Sequence, residues 1–163
     1  IIMKEITLNQ WSAYLPYGLI CEVKDQGQIK TDTLSGVYDN KELVFHNIVE
    51  SHQGFESVKP ILYDLSWLTR DEFREEILIY FKSLGIDAEI VIYGSGNDVE
   101  NDFTLLVNYR LMGETFADAL INRGSTEETP RHFFEWLCKN HFNVFNLPDE
   151  LIVRVTEDFN PYK

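Results

Sequence analysis

Basic side chains are scarce in this sequence. Its 163 residues include 14 Lys and Arg against 27 Asp and Glu, which gives a formal net charge of −13 at pH 7. Binding to nucleic acids and to anionic lipid surfaces is driven mainly by Lys and Arg. The deficit therefore argues against direct binding to DNA or RNA and against acidic partners, whereas a basic protein partner fits the charge.

Cysteines and long apolar runs are also scarce. Cys21 and Cys138 are the two cysteines of the chain and fit no metal-binding spacing, so we expect reduced, packed thiols, with a single disulfide as the alternative. No apolar run approaches the ~18 residues of a membrane span. Residues 1–5 lack the apolar region and cleavage site of a signal peptide. The sequence thus predicts a cytoplasmic protein without a membrane segment.

Motifs of known catalytic chemistry are missing as well. There is no G-x-S-x-G, H-E-x-x-H or P-loop pattern. Gly94-Ser95-Gly96 follows a predicted strand, as in nucleotide-binding loops, but the third Gly of that fingerprint would fall at Val99. The sequence therefore indicates no cofactor and gives no positive sign of an enzyme.

The composition is that of a folded globular domain. Hydrophobic residues make up 44% of the chain, charged residues 25% and aromatic residues 13%, which is ordinary for such domains. A chain of this length usually makes one domain and buries enough surface to need no disulfide staple. Since no repeat or linker interrupts it, we predict a single domain over residues 1–163.

Apolar spacings of three and four residues predict several helices, over residues 8–14, 70–84, 114–121 and 130–145. Thr7 and Gln10 match a capping box at the start of the first helix. Thr69 is the predicted N-cap of the second helix, and Gly85 ends it. Two or three of these helices are expected to pack against a sheet.

Alternating apolar and polar residues predict strands, over residues 19–24, 28–38, 42–46, 58–62, 88–93, 103–109 and 151–155. Gly36 marks a bulge or bend, and Pro60 confines its strand to a sheet edge or a strand end. Residues 94–102 form the long acidic loop of a hairpin. Because short turns join the first strands, the predicted fold is α+β, an antiparallel β-meander packed against helices.

The acidic loop is one candidate binding site. Residues 86–102 carry five acidic side chains and no basic one, and Asp98, Glu100 and Asp102 alternate like Ca²⁺ ligands. An EF-hand loop beginning at Asp98 would need Gly five residues later and Glu eleven residues later, where this chain has Phe and Tyr. The alternatives are an irregular Ca²⁺ or Mg²⁺ site and a solvated acidic loop.

The histidines provide a second candidate. His46, Glu50 and His52 lie close in sequence and carry donor types that bind metals. His132 and His141 fall on one predicted helix, but nine residues apart they point to opposite faces and cannot bind one metal from that helix. We expect His141 to be a hydrogen-bonded core residue and His132 to be exposed.

Three segments carry recognisable sequence patterns. Residues 14–19 read Y-L-P-Y-G-L, residues 59–68 read K-P-I-L-Y-D-L-S-W-L, and residues 135–147 contain W-L and then H-F-N-V-F-N-L. In this order they resemble the L-P-Y-G-L, K-P-I-L-x-x-L-S-x-L and W-L…H-F-D-V-F-G-L segments of a family of uncharacterised small proteins from Bacteroidetes genomes, phages and prophages. Asn143 and Asn146 depart from the family's usual Asp and Gly. The family has no assigned activity, so the resemblance implies a Bacteroidetes, phage or prophage origin and no mechanism.

Three functional hypotheses follow. The first is a non-enzymatic phage or prophage accessory protein that acts by protein contact with a basic partner. The second is an acidic nucleic-acid mimic, which needs rows of carboxylates with phosphate-like spacing. The third is a metal-dependent hydrolase that uses His46, Glu50, His52 and the acidic residues of the loop at 98–102.

Overall fold

The chain combines helices with mainly antiparallel sheets. The computed structural model describes residues 5–48, 52–53, 57–94 and 102–163. Its α-helices are Leu8–Tyr14 (α1), Asp71–Ser83 (α2) and Arg131–Lys139 (α3). Its strands are Ile20–Asp25 (β1), Gln28–Val37 (β2), Glu42–Phe45 (β3), His52–Gln53 (β4), Val58–Leu62 (β5), Ala88–Tyr93 (β6), Thr104–Leu111 (β7), Glu114–Ile121 (β8) and Val153–Arg154 (β9). Short 3₁₀ helices cover Leu15–Tyr17 and Leu65–Thr69. The fold class is α+β, as predicted.

Backbone contacts divide the chain into two compact units. The first consists of Ile1–Asp64 and Glu135–Lys163, and the second of Leu65–Phe134. The first unit contains a sheet with the strand order β4-β3-β2-β1-β5-β9. Strands β1 to β3 form the predicted antiparallel meander, and β4, which was not predicted, extends it. Strand β5 is antiparallel to β1, and β9 is parallel to β5.

The sequence patterns of the first unit are largely confirmed. Leu19, Cys21 and Val23 are fully buried, as alternation in a sheet with one covered face requires. The register of β2 against β3 shifts between Leu34 and Gly36, which is the predicted bulge. The capping box of α1 is present: Gln10 N donates to the Thr7 hydroxyl at 3.3 Å and Thr7 N to the Gln10 side chain at 2.9 Å.

The prediction that Pro60 confines β5 to a sheet edge or a strand end is wrong. Pro60 is the middle residue of β5, which lies between β1 and β9. Val155 N donates to Leu62 O at 3.0 Å, so the backbone groups of Leu62 and, by alternation, of Pro60 point toward β9. Strand β9 pairs only with Ile61 and Leu62, and the missing N–H of Pro60 therefore interrupts no ladder.

In the second unit, α2 begins later than predicted. Asp71 is its first residue and Arg70 its N-cap, without a side-chain capping bond. Thr69 belongs to the preceding 3₁₀ helix, where its hydroxyl donates to Ser66 O at 2.7 Å. The prediction of Thr69 as the N-cap of α2 is wrong, because its hydroxyl bonds to a carbonyl of the preceding 3₁₀ turn and not to an N–H group of the helix. The buried side chains of α2 are Phe73, Ile77 and Phe81.

The second unit also contains an antiparallel sheet, β6-β7-β8. The hairpin of β6 and β7 confirms the prediction, and residues 95–101 of its loop lie outside the described residues. The predicted helix over 114–121 is wrong, because this segment is β8. Met112 and Gly113 have φ of 53° and 81°, the two positive values of a type I′ hairpin turn, which folds β8 back onto β7.

The last helix ends earlier than predicted. Lys139 is its final residue, and His141 has φ of 64° in the left-handed region. Beyond the helix, Tyr63 N donates to His141 O and Asn143 N to Tyr63 O, each at 2.8 Å. The chain leaves the helix because these backbone groups pair with Tyr63, at the end of the β5 segment. The helical spacing of the apolar residues at 133–145 does not reveal this pairing.

Candidate functional site

The predicted histidine site is only partly described. His46 follows β3 with an exposed side chain, Glu50 is not described, and His52 is placed only as a strand position opposite Leu43. Within the described ranges, no three His, Cys, Asp or Glu side chains lie close enough to hold a metal ion. The proposed site at His46, Glu50 and His52 therefore stays a prediction.

The acidic loop is only partly described. Asp98 and Glu100 lie outside the described residues, and Asp102 is exposed beside the buried Phe103. An ion site formed by these three residues also stays a prediction.

His132 is exposed, as expected, whereas His141 is hydrogen-bonded but only half-buried, and the two do not share a helix. The Nδ1 of His132 lies 3.1 Å from the hydroxyl of Tyr80. His141 stacks on Tyr162 with 4.1 Å between ring centroids, and its Nε2 lies 2.7 Å from Tyr17 O. Since a carbonyl can only accept, this nitrogen carries the proton. Burial lowers the pKa of His141, and the bond to Tyr17 opposes that shift.

The segments that carry the family resemblance meet in the first unit. The Tyr14 hydroxyl donates to Phe142 O and accepts from Val144 N at 3.2 Å, and His141 contacts Tyr17 O as described. Tyr63 completes the junction through its ladder bonds with the residues around Phe142. Burial raises the pKa of Tyr14. These polar groups satisfy one another in the core, so the junction stabilises the fold.

Tyr162 fills a gap in the same sheet. Its hydroxyl accepts from Ile20 N at 3.0 Å and donates to Ile61 O at 2.7 Å. The hydroxyl thus replaces a direct ladder bond between β1 and β5, and burial raises its pKa. Both of its hydrogen-bonding roles are occupied by backbone, which leaves it a structural role.

Asp32 is a buried carboxylate of the first unit. It accepts hydrogen bonds from Asn47 N at 2.9 Å, Ile48 N at 2.8 Å, Thr33 N at 2.7 Å and the Asn47 amide at 3.1 Å. It borders an open depression of about 480 Å³ together with an Asp25–Lys30 ion pair at 3.2 Å. Because its oxygens are already satisfied, Asp32 anchors the turn after β3.

One face of the sheet in the second unit is buried near the middle of the strands and solvent-exposed toward the hairpin turn. Near its middle, Ile90, Leu105 and Val107 are buried. Ile90 pairs with Val107, and two residues further along β7 the paired residues are Tyr109 and Phe116. Since alternate residues share a face, Tyr109, Phe116 and Leu111 continue this apolar row toward the hairpin turn.

At the turn the row becomes solvent-exposed. Leu111 is 53% exposed, Met112 98% and Phe116 37%. Tyr109 and Phe116 stack with their centroids 5.4 Å apart and their planes at 20°. We call Tyr109, Leu111, Met112 and Phe116 the hairpin patch. Cross-strand stacking keeps its aromatic rings in place, so the patch is an ordered apolar surface.

Acidic groups surround the hairpin patch. Glu114 pairs with Leu111 across the strands, and Asp118 accepts a hydrogen bond from the Tyr109 hydroxyl at 2.9 Å. This bond, with burial and the Asp118 charge as smaller causes, raises the pKa of Tyr109. A shallow, open depression of about 400 Å³ is lined by Asp87, Ala88, Glu89, Asn108, Tyr109, Arg110 and Thr115. Glu89, Asn108, Arg110 and Thr115 lie on the face of the sheet opposite the patch, so the depression is not part of it. On the face of the patch itself, Glu114 and Asp118 favour a cationic ligand.

No protein-family model, curated protein or solved structure matches this chain. The family resemblance therefore stays a prediction, and the candidate site is defined by its own geometry. Within the described part of the chain, no helix has the length and apolar character needed to cross a membrane. Together these results leave the fold and the hairpin patch as the basis for a function.

Sequence reasoning missed the hairpin patch because it assigned 114–121 to a helix. In a helix, Phe116 would not face Tyr109, and no cross-strand pair would have been expected. The available signal was Gly113: a short segment containing Gly between two β-rich runs indicates a hairpin. The exposed side chains of 114–118 hide the alternation that usually identifies a strand.

Proposed function

We propose that this chain is a non-enzymatic accessory protein that acts by binding a basic protein partner, and that the hairpin patch is the contact surface. The observation that carries the proposal is the exposed apolar cluster at the turn of β7 and β8. Exposed apolar patches with polar rims mark protein contacts. Aromatic residues and Met are enriched in such contacts, and flexible Met side chains adapt to a partner's shape.

The charge around the patch supports a basic partner. Glu114 and Asp118 lie on the face of the sheet that carries the patch. Complementary charges steer a partner into its binding orientation and raise the association rate. An acidic partner would instead be repelled by a chain with a net charge of −13.

The cellular setting is part of the proposal. The three segments that resemble the family from Bacteroidetes, their phages and prophages support a phage or prophage origin. Cys21 and Cys138 are free and buried, and burial raises the pKa of both thiols, that of Cys138 to about 12. Unreactive, unpaired thiols fit a reducing compartment such as the cytoplasm.

Site-specific photo-crosslinking tests the proposed surface. A photoreactive amino acid is placed at Met112 in one variant and at Ile79, which is 67% exposed on α2, in a matched control. After irradiation in a Bacteroidetes lysate, we expect one basic protein to crosslink at Met112 and not at Ile79, and to crosslink less at high salt.

The crosslinked protein is then identified, purified and tested for direct binding. Wild type is expected to bind it, whereas Leu111→Asp, which places a charge in the patch, is expected to bind at least about tenfold more weakly. Equal crosslinking at both positions, or binding that Leu111→Asp leaves unchanged, would overturn the proposal.

A further inference from the structure

We propose that the basic partner binds by strand addition: an extended segment pairs with the free edge of β8. The inference deepens the proposed function and rests on it, because it specifies how a basic partner engages the hairpin. In strand addition, main-chain hydrogen bonds supply affinity and alternate side chains supply specificity.

The edge of β8 is open along the half that adjoins the hairpin patch. β8 is the outer strand of its sheet, and residues 114–118 are all exposed. At its other end the edge is covered: Asn122 N donates to Ser125 O at 3.1 Å, and the Thr129 hydroxyl donates to Leu120 O. Among the described residues, no further strand pairs with 114–119.

Proteins usually protect such edges. The common devices are charged side chains, above all Lys, Pro within the strand, a short strand, or a covering segment. β8 has eight residues, Glu-Thr-Phe-Ala-Asp-Ala-Leu-Ile, with neither Lys nor Pro. Its two charged side chains are acidic, so they discourage pairing with acidic strands and not with basic ones. The segment at 125–129 covers only its end, so the open half presents backbone groups that a further strand can pair with.

The side chains of β8 define what an added strand should carry. Glu114, Phe116 and Asp118 lie on one face, and Thr115 and Ala117 on the other. Directly opposite residues in paired strands have Cβ atoms about 4.5–5.5 Å apart. Basic residues opposite Glu114 and Asp118, with an apolar residue opposite Phe116, give the pattern basic-x-apolar-x-basic.

A second copy of this chain is a poorer occupant. Antiparallel pairing of two β8 strands centred on Phe116 would place Glu114 of one copy opposite Asp118 of the other. Like charges directly opposite each other are destabilising, and each copy carries −13. Charge complementarity therefore selects a basic segment.

A synthetic peptide tests the pairing without knowledge of the natural partner. The probe is Thr-Val-Lys-Thr-Val-Thr-Lys-Val-Thr, which has the required pattern on one face. We expect it to bind the full chain, seen by fluorescence anisotropy, and to slow hydrogen exchange of amides within 114–119. A peptide with Glu in place of both Lys is expected to bind at least about tenfold more weakly.

Alternate N-methylation identifies the binding mode. Methyl groups on the odd residues block one edge of the peptide strand, and methyl groups on the even residues block the other. In strand addition one edge faces β8, so one methylated series should lose binding by at least about tenfold and the other should retain it. Equal effects of the two series would overturn strand addition.

Charge exchange checks the register. The variant Glu114→Lys/Asp118→Lys should bind the Lys peptide about tenfold more weakly and should prefer the Glu peptide. The control Asp39→Lys/Glu150→Lys makes the same change in net charge at exposed positions of the first unit and should keep the Lys preference. The same preference in both variants would show that net charge alone attracts the peptide and would overturn the proposal.

The two proposals fail separately. If a basic protein crosslinks at Met112 but the peptide binds with no edge selectivity and no protection of 114–119, the surface is correct and strand addition is wrong. If nothing crosslinks at Met112, the proposed function itself is wrong, whatever the peptide does. Dimerisation of the chain through β8, detected by concentration-dependent sedimentation, would contradict a basic partner as the occupant.

Discussion

The hydrogen bond between Tyr109 and Asp118 ties the hairpin patch to its acidic rim. The phenol donates to a carboxylate at 2.9 Å, and this bond is the main cause of the raised pKa of Tyr109. Asp118→Asn removes the carboxylate charge that accepts the hydrogen bond from the Tyr109 phenol, so the protonated form of the phenol is less strongly favoured. We therefore expect the pKa of Tyr109 to fall toward the ordinary value of about 10, measured by NMR titration of ring-labelled tyrosine.

Tyr109→Phe assigns the titrating signal in that experiment. The remaining tyrosines should titrate alike in wild type and Asp118→Asn. An unchanged Tyr109 titration in Asp118→Asn would show that the bond does not form in solution, and the ring would then lack its link to the rim.

His141 makes the folded state sensitive to acid. Its folded-state pKa is lowered, chiefly by burial, so below the unfolded value of about 6.5 the unfolded chain binds a proton that the folded chain does not. The free energy of unfolding should therefore decrease as pH falls below about 6.5. Urea unfolding from pH 7.5 to 5 measures this decrease.

The histidine contribution is isolated by comparing variants. His141→Asn keeps a residue type that tolerates the left-handed φ of 64° and removes the titrating group, so it should show a shallower pH dependence. His132→Asn, at an exposed position, should retain the wild-type slope. A wild-type slope in His141→Asn would rule out the assigned role.

At the scale of the structural elements, the hairpin patch depends on the turn at Met112 and Gly113, which pairs β8 with β7. Gly113 has φ of 81°, and no heavy atom lies within 4 Å of a Cβ placed there, so its replacement acts through backbone strain. Gly113→Ala should cost about 1–2 kcal/mol, the usual penalty of the left-handed region for an ordinary residue. The measurement is urea unfolding.

Gly113→Asn is the matched variant, since Asn tolerates positive φ better than Ala does. It should be less destabilising than Gly113→Ala. Met112→Asn, at φ of 53°, should leave stability unchanged or raise it, because Asn-Gly is a preferred type I′ pair. Equal losses for both Gly113 variants would mean that strain at φ does not control this turn.

Elements with a buried face were predictable and elements without one were not. The alternation of Leu19, Cys21 and Val23 identified β1 correctly because each of these side chains is fully buried. β8 was missed because its first five side chains are exposed, which leaves composition to suggest a helix. The end of α3 was missed because His141 and Asn143 bond to Tyr63, a partner remote in sequence.

On the scale of the whole molecule, the sequence gives a net negative charge but does not show which acidic residues lie beside an exposed apolar surface. It drew attention to the acidic residues at 98–102, whereas the described surface places exposed apolar and acidic groups together at the hairpin patch. Counting carboxylates cannot show this, because the combination arises when β7 and β8 pair. The candidate site therefore became visible only with the strand register.

Net charge should also control the stability of the whole chain. A charge of −13 destabilises a compact state through self-repulsion, and exposed ion pairs such as Lys30–Asp25 and Arg154–Asp149 contribute little in return. Salt screens both effects, but the repulsion involves more charges. We therefore expect the Tm to rise by a few degrees, roughly 1 kcal/mol, between 0.05 and about 0.5 M NaCl.

The charge-exchange control variant Asp39→Lys/Glu150→Lys separates screening from other effects of salt. It lowers the net negative charge by four, so its Tm should be higher at low salt and should depend less on NaCl than that of wild type. Sucrose, which favours compact states without screening charge, should raise the Tm of both proteins equally. If NaCl also raised both equally, surface exclusion of the solute would explain the effect, and self-repulsion would not limit the stability of this chain.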